Sequence, residues 1–110
     1  MVTAETAVVL PVLLLVLAAA VSALVVVGAQ LRCVDAAREG VRAAARGEAA
    51  STVLRIAGGA APPGAVTTLA VDGDTVSVTV NAPVHPLGPL PLRMRVSATA
   101  TGQLEPGVAP

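Results

Sequence analysis

The sequence contains no aromatic residue, and this absence limits the core that it can build. Its 110 residues include no Phe, Tyr or Trp, while 55% are hydrophobic and only 13% are charged. Aromatic side chains provide the largest buried areas, so a core made of Val, Leu and Ala is thin. A disordered chain would be far more polar, and soluble globular domains are seldom this apolar. The length allows one small domain beside a membrane segment.

Lysine is also absent, and the groups that carry most enzyme chemistry are few. Seven arginines balance seven acids without forming a separate basic block, so contact with nucleic acid is not indicated. The single cysteine, Cys33, excludes an internal disulfide and a CxxC metal or redox site. The single histidine, His85, lies in a Pro-rich stretch with no second base or ligand near it. We therefore predict no catalytic, cofactor or metal site, and we do not expect an enzyme.

Residues 6–31 form an uncharged run made mostly of Val, Leu and Ala. About 20 such residues in a helix cross the ~30 Å hydrocarbon layer of a bilayer, so we predict a transmembrane N-terminal helix over residues 1–31. A cleaved signal peptide is the alternative. It would begin with basic residues and contain an apolar stretch of only about 7–15 residues. Because residues 1–5 contain Glu5 and no base, the sequence favours retention in the membrane.

Two residues near the amino end of this helix have two interpretations each. Glu5 is either an acid in the headgroup region, favourable at a helix N-terminus, or a buried carboxylate paired with a cation of a neighbouring subunit. Pro11 lacks the N–H that an interior helical residue donates, so it either kinks or opens the helix or is simply tolerated in a membrane helix. Just beyond the run, Cys33 is either acylated at the membrane edge or an inert thiol.

The next segment, residues 32–57, is predicted to continue the helix as an amphipathic stem. At 100° per residue, charged side chains fall on one side and small apolar residues on the other. The charged side includes Asp35 with Arg38 and Glu39 with Arg42, spaced three residues apart with the acid first, which favours a helix. The apolar side would let another backbone approach closely, and we expect it to pack against other subunits; it consists of Val34, Ala37, Gly40, Val41 and Ala44.

The rest of the chain is predicted to be a short linker followed by a small sheet. Gly and Pro make residues 58–64 a linker, and residues 65–102 read as a three-stranded antiparallel β domain. Asp72-Gly73-Asp74 is a hairpin signal, and its aspartates suit a turn better than a cation site. A Pro-rich connector at residues 83–91 precedes the third strand, and residues 103–110 are expected to form a loose tail. The apolar face of the sheet needs a cover, most simply the stem, so we predict an α+β fold with a long N-terminal helix packed on the sheet.

Three pieces of the first half of the chain carry a family resemblance. They are Val-Thr-Ala-Glu at residues 2–5, Pro11 within the apolar helix, and Arg-Cys-Val-Asp-Ala-Ala-Arg-Glu at residues 32–39, running on to Ala-Ala-Ala-Arg-Gly-Glu at residues 43–48. With them the chain resembles the TadE-like family, minor pilins or pseudopilins of tight-adherence (Flp) type IV pili, in the form found in high-GC Gram-positive bacteria. The second half is similar in architecture only. The stem motif is fairly specific, whereas an apolar helix alone is not.

The resemblance implies processing at the amino end. A short basic leader would be removed after a Gly by a membrane aspartic peptidase. In type IV pilin-like proteins a glutamate stands fifth from the cleaved end, and Glu5 stands fifth here. Met1 is therefore expected to be the mature first residue or a start chosen downstream of the leader. The sequence departs from the family in showing no leader and no Gly before Met1.

The resemblance also implies partners and a location. The partners would be the lipid bilayer, the major pilin and other minor pilins, an inner-membrane platform, an assembly ATPase and the prepilin peptidase. The chain would be a single-pass protein of the cell membrane with its C-terminal domain extracytoplasmic, or part of a surface pilus. Arginines just after the span would place that domain in the cytoplasm unless a basic leader outweighs them. The alternative function is a bitopic scaffold of a membrane secretion machine that never enters a filament.

Overall fold

The computed structural model describes residues 2–86 and 93–104, which form two helices and a three-stranded antiparallel sheet. The elements in chain order are α1 (Val2–Ala45), α2 (Ala50–Ala60), β1 (Val66–Asp72), β2 (Thr75–Val84) and β3 (Met94–Gln103). The strands are ordered β1-β2-β3, so each pairs with its neighbour in sequence. The predicted α+β class, with a long N-terminal helix packed on a small antiparallel sheet, is confirmed.

A glycine ends α1 earlier than predicted. Gly47 has φ +86°, a left-handed conformation that glycine adopts readily. Its N–H donates to the carbonyl of Ala44 (3.0 Å), and the N–H of Glu48 donates to the carbonyl of Ala43 (3.2 Å). This pair of bonds is the Schellman arrangement, which satisfies the last carbonyls of a helix. The prediction of one continuous stem over residues 32–57 is therefore wrong, because the stem is a hairpin of two helices.

α2 folds back along α1 and buries one stripe of small residues. Val53 and Ala57 of α2, and Ala61 just after it, recur every four positions and are all buried, as expected of a continuous helix face. Residues 58–60, predicted to begin the linker at 58–64, form the last turn of α2 instead. Glycine costs about 1 kcal/mol within a helix, and burial of this stripe outweighs that cost. The connection to β1 is correspondingly short.

β1 and β2 form the hairpin predicted around residues 72–74. Asp72 pairs with Thr75, which leaves Gly73 and Asp74 as the two turn residues. Gly73 has φ +64°, and a positive φ at the first turn position is what two-residue hairpin turns with a leading glycine require. The hairpin and its turn are confirmed.

β2 runs further than predicted, through Pro83 to Val84. Residue 83 pairs with Arg95 of β3, whereas β1 pairs with β2 only as far as Asn81. A proline is tolerated at this point because β2 has a neighbouring strand on one side only. The connector predicted over residues 83–91 is therefore wrong at its start, and its residues from 87 onward lie outside the described part of the chain.

The end of β3 is also more regular than predicted. Gln103 is its last residue, and the N–H of Leu104 donates to the carbonyl of Asp74 in the hairpin turn (2.7 Å). A tail over residues 103–110 is therefore wrong for its first two residues. Residues 105–110 lie outside those that the structure describes.

The core lies between the sheet and the helical hairpin. Alternate residues of β2 point into it and are buried: Val76, Val78, Val80, Ala82 and Val84. This spacing of two is the pattern of a strand with one face covered. α1 contacts β2 and β3, and α2 contacts β1. The stem covers the apolar face of the sheet, as predicted.

The small-residue face of the stem is used within the chain. Of the five residues expected to pack against other subunits, three are buried and two are half-buried: Ala37, Gly40 and Ala44, then Val34 and Val41. A Cβ atom built on Gly40 would lie 3.0 Å from Val78 Cγ1 and 3.2 Å from Ala57 Cβ. The expectation of packing against other subunits is therefore wrong for the three buried residues. The sheet has no aromatic side chains, and this face of α1 packs closely against it and covers its apolar side.

Candidate functional site: an exposed apolar helix with one acid

The apolar run of α1 is exposed along most of its length. Its most apolar stretch is long enough to cross a membrane, and none of that stretch is buried. Leu15 is 71% exposed and Leu24 72% exposed. A continuous apolar surface of this size marks contact with lipid or with another protein. α1 thus contains a candidate membrane span, consistent with a single-pass membrane protein.

Glu5 lies in the first turn of α1, beside a shallow apolar depression. That depression is lined by Glu5, Thr6, Val9, Leu10 and Leu13. Among the residues that the structure describes, no basic side chain forms an ion pair with Glu5. The next base along the helix, Arg32, stands about 40 Å away at 1.5 Å per residue. A cationic partner for Glu5 would therefore come from outside the described residues.

Pro11 lies inside α1, which runs without a break from Val2 to Ala45. The local opening considered for this residue is not seen, and a tolerated proline fits better. Because proline has no N–H, the carbonyl of Ala7, four residues earlier, lacks its usual helical donor. Met1, which the family resemblance implies as the processed first residue, lies outside the described residues.

The carboxyl-terminal end of the apolar run is fastened to the folded domain. The Gln30 side chain donates from Nε2 to the carbonyl of Ser97 in β3 (2.9 Å). Arg32 donates from Nη2 to the carbonyl of Ala61, just after α2 (3.3 Å). Val26 packs against the core. These contacts hold the end of the apolar run against the folded domain.

β3 runs alongside α1 in the same direction. The carbonyl of Ser97 accepts the hydrogen bond from the Gln30 side chain, so these two residues lie at the same level. Further along, a Cβ atom built on Gly102 would lie 2.6 Å from Val41 Cγ1. From Ser97 to Gly102 a strand advances about 16 Å, and from Gln30 to Val41 a helix advances the same distance. At this ratio Met94, the first residue of β3, lies roughly level with Ala23 of α1.

This register brings one end of the sheet against the apolar run. Pro86 and Met94 line a groove on α1, here called the tip groove, together with Leu15, Ala18, Ala19, Ser22, Ala23, Val26 and Val27. His85 and Pro86 line a second depression beside Val21 and neighbouring residues of the same helix. The sequence did not predict this contact, because alternation along a strand gives its faces but not its level along a helix.

Cys33 lies in the core, fully buried. Burial raises the pKa of its thiol above the ordinary value, and the nearby positive charge of Arg32 partly opposes that rise. Of the two interpretations, the inert thiol fits the structure, because both acylation and oxidation need an accessible sulfur.

The charged side of the stem faces solvent. Arg42 and Glu39 form an ion pair of 3.5 Å with both side chains more than half exposed, so it contributes little to stability. The companion pair expected between Asp35 and Arg38 is not formed. Over residues 2–86 and 93–104, no group of three or more His, Cys, Asp or Glu could hold a metal ion.

Comparisons with known proteins agree with this arrangement. A family model described as TadE-like protein matches residues 1–42, which is most of α1. The chain is also 37% identical over 103 residues to apoptosis inhibitor Rv3655c of Mycobacterium tuberculosis (strain ATCC 25618 / H37Rv). The aligned region covers 94% of this chain and 78% of that protein. No solved structure matches the chain.

Proposed function

Because the chain belongs to the TadE-like family, we propose that it is a minor pilin-like subunit that helps to assemble a tight-adherence pilus. The family points to a structural, non-enzymatic protein of a tight-adherence pilus locus. The observation that carries the proposal is the unburied apolar helix with one acid at its amino end. In this role α1 holds the subunit in the membrane and then packs against equivalent helices as subunits leave the bilayer. The domain beyond Leu31 lies outside the cytoplasm.

Glu5 supplies the charge that fixes the position of the helix in the assembly. We propose that its carboxylate pairs with the α-amino group that processing exposes on a neighbouring subunit. A charge left unpaired in hydrocarbon costs roughly 2.5–3.5 kcal/mol. Pairing removes much of this cost for both groups, whereas loss of either partner leaves the other buried and uncompensated.

The test is replacement of Glu5 by Gln, which removes the charge and keeps the size. Membrane fractions should contain the wild-type amount of Glu5→Gln protein, because a neutral residue enters lipid more readily than an acid. Surface-sheared fractions should contain roughly one tenth or less, since 1.4 kcal/mol corresponds to a tenfold change. The matched control is Glu48→Gln, the same change at an exposed acid in the turn between α1 and α2, which should leave both fractions unchanged.

The same measurement separates the filament subunit from the scaffold alternative. A scaffold of a secretion machine remains with the membrane, so the wild-type protein would be missing from the sheared fraction. A wild-type amount of Glu5→Gln protein in the sheared fraction, together with normal pili, would instead contradict the role of Glu5. Either result would leave the family membership intact and remove the specific mechanism.

Pro11 is proposed to let α1 adjust when it enters the assembly. The carbonyl of Ala7 has no helical donor, so bending at this point breaks no backbone hydrogen bond of that residue. Pro11→Ala should therefore leave the protein in the membrane and lower its amount in the sheared fraction. Leu15→Ala, one turn further along the same exposed surface, serves as a control for loss of apolar contact alone.

A second candidate function comes from the curated relative. That protein is named an apoptosis inhibitor, and the similarity extends over 94% of this chain, well beyond the residues that the family model matches. We propose, as the alternative, that the sheet domain acts on host-cell death after release or display at the surface. Host cells infected with a deletion strain would then die more often, and the Glu5→Gln protein would restore survival if the domain acts without a pilus.

A further inference from the structure

Part of α1 lies in the hydrocarbon layer wherever the helix is centred. The uncharged run covers residues 6–31, and about 20 helical residues fill the layer. Every window of that length within the run contains residues 12–25. The inference therefore rests on α1 spanning a bilayer, which is part of the proposed function, and on no particular placement of the helix.

The tip groove is built on that stretch. Its helical wall runs from Leu15 to Val27, and its other wall is formed by Pro86 and Met94. Ala18 and Ser22 line both this groove and the depression that His85 and Pro86 form. The end of the sheet that carries these residues consequently lies at the depth of the lipid chains, beside the helix.

The residues at this end of the sheet suit lipid chains in their chemistry. Met94 is 48% exposed although it is apolar, and Pro86 lines the tip groove with it. The exposed apolar surface of α1 faces both residues across the groove. Exposure of this apolar surface to water is unfavourable, and contact with acyl chains removes that cost.

We propose that His85, Pro86 and Met94, here called the tip, form a second membrane-contacting element that is embedded among lipid acyl chains next to α1. The tip reaches the leaflet on the side of the folded domain. The domain therefore does not stand off the membrane on its stem but rests in the surface of the bilayer.

The arginines beside the tip set its depth. Arg95 precedes Ser97 by two residues, about 7 Å, which places it roughly level with Val25 of α1. If residues 6–25 fill the hydrocarbon layer, Arg95 stands at one boundary and Glu5 at the other. Arg93 lies one strand step deeper than Met94, and its long side chain can extend back to the headgroup phosphates. One placement therefore keeps both arginines and the acid in contact with polar groups.

The absence of aromatic residues makes a direct test possible. A single introduced Trp is the only source of indole fluorescence in the chain. Three variants of the full chain are compared in phosphatidylcholine vesicles at less than one copy per vesicle: Met94→Trp in the tip, Leu24→Trp on the exposed face of α1, and Thr99→Trp on the outer face of the sheet. The probe is phosphatidylcholine brominated in the acyl chains near the headgroup, with acrylamide as the aqueous quencher.

The proposal requires Met94→Trp to behave like Leu24→Trp. Both should have blue-shifted emission, lose most of it in brominated lipid and be shielded from acrylamide, whereas Thr99→Trp should show the reverse. If Met94→Trp disturbs folding by circular dichroism, His85→Trp takes its place, since His85 is exposed. Charge reversal at the boundary, Arg95→Glu, should lower lipid quenching at the tip.

Three results would overturn the proposal. Acrylamide quenching of the tip with Leu24→Trp still in lipid would show that the tip is in water, and the membrane span would stand. Blue-shifted emission without bromine quenching would show that protein, not lipid, closes the groove. If Leu24→Trp itself is not quenched by brominated lipid, the proposed membrane span and this inference both fail.

Discussion

Gly40 of α1 lies so close to Val78 of β2 that a Cβ atom at position 40 would stand 3.0 Å from Val78 Cγ1. The missing side chain lets helix and sheet approach in a protein that has no aromatic ring to fill a wider gap. A core of Val and Ala reaches native packing density only if the backbones are close. The thin core foreseen from composition is thus achieved by shortening the distance between layers.

Replacement of Gly40 by Ala should destabilise the domain. Overpacking costs about 1–3 kcal/mol, while the better helix propensity of Ala returns about 1 kcal/mol. The matched control is Gly58→Ala in α2, where an added Cβ meets nothing within 4 Å, so only the helix gain applies. Urea unfolding in detergent micelles, followed by circular dichroism, should rank Gly58→Ala above wild type and Gly40→Ala below Gly58→Ala by at least about 1 kcal/mol. Equal stability of the two variants would mean that helix and sheet are further apart than described.

Gly102 and Val41 should be energetically coupled. A Cβ atom on Gly102 would lie 2.6 Å from Val41 Cγ1, so Gly102→Ala alone should cost about 1–3 kcal/mol. In a Val41→Ala background the clash is gone, and the same change should cost little. A double-mutant cycle measures the difference, with a coupling of about 1 kcal/mol or more expected. Additive effects would show that β3 does not lie alongside the stem at this register.

Position 47, where the backbone at the end of α1 is left-handed, should tolerate Asn better than Ala. Gly47 has φ +86°, and a left-handed conformation costs an ordinary L-residue about 1–2 kcal/mol. Asn adopts this conformation more easily than other non-Gly residues. Thermal unfolding should therefore place Gly47→Ala below Gly47→Asn. If the two variants melt together, the bend between the helices does not depend on this residue.

The buried thiol predicts how stability depends on alkaline pH. The pKa of Cys33 is raised in the folded state because burial disfavours the thiolate. The folded protein therefore holds its proton longer than the unfolded chain, and stability is lost as pH rises through the unfolded pKa of about 8.5 toward the folded value. The chain has no Lys or Tyr, so no other side chain titrates in this range.

Unfolding experiments between neutral pH and pH ~11 should show this fall for the wild-type protein. Cys33→Ala is the control: it is less stable at neutral pH because a cavity is created, but its stability should not decline in the same way. A parallel decline in both proteins would show that the alkaline effect does not come from the Cys33 thiol.

Much of this fold follows from local patterns in the sequence. The uncharged run ending before Arg32 predicted the exposed helix, and Asp72-Gly73-Asp74 predicted the hairpin turn that Gly73 makes. Both signals act within a few residues, so neighbours along the chain decide the outcome. Glu5 was identified as the one acid near the end of this run for the same reason.

One difference from the predicted fold has a local cause, and the others depend on distant contacts. Gly47 follows the basic residue Arg46, and a basic residue in the last turn followed by glycine is a usual signal for a helix end. By contrast, Gly58 is helical only because the stripe containing Ala57 is buried against α1. The level of β3 along α1, and with it the tip groove, depends on contacts between residues more than 60 positions apart and has no local signal.

α1 has no hinge between the apolar run and the stem, since it is one helix from Val2 to Ala45. A mechanical load applied to the sheet is therefore transmitted along the axis of a stiff rod to the apolar run. A flexible joint would absorb such a load by reorienting the domain. Here a pull on the sheet displaces the apolar run as well, so the orientation of the sheet and the tilt of the run cannot change independently.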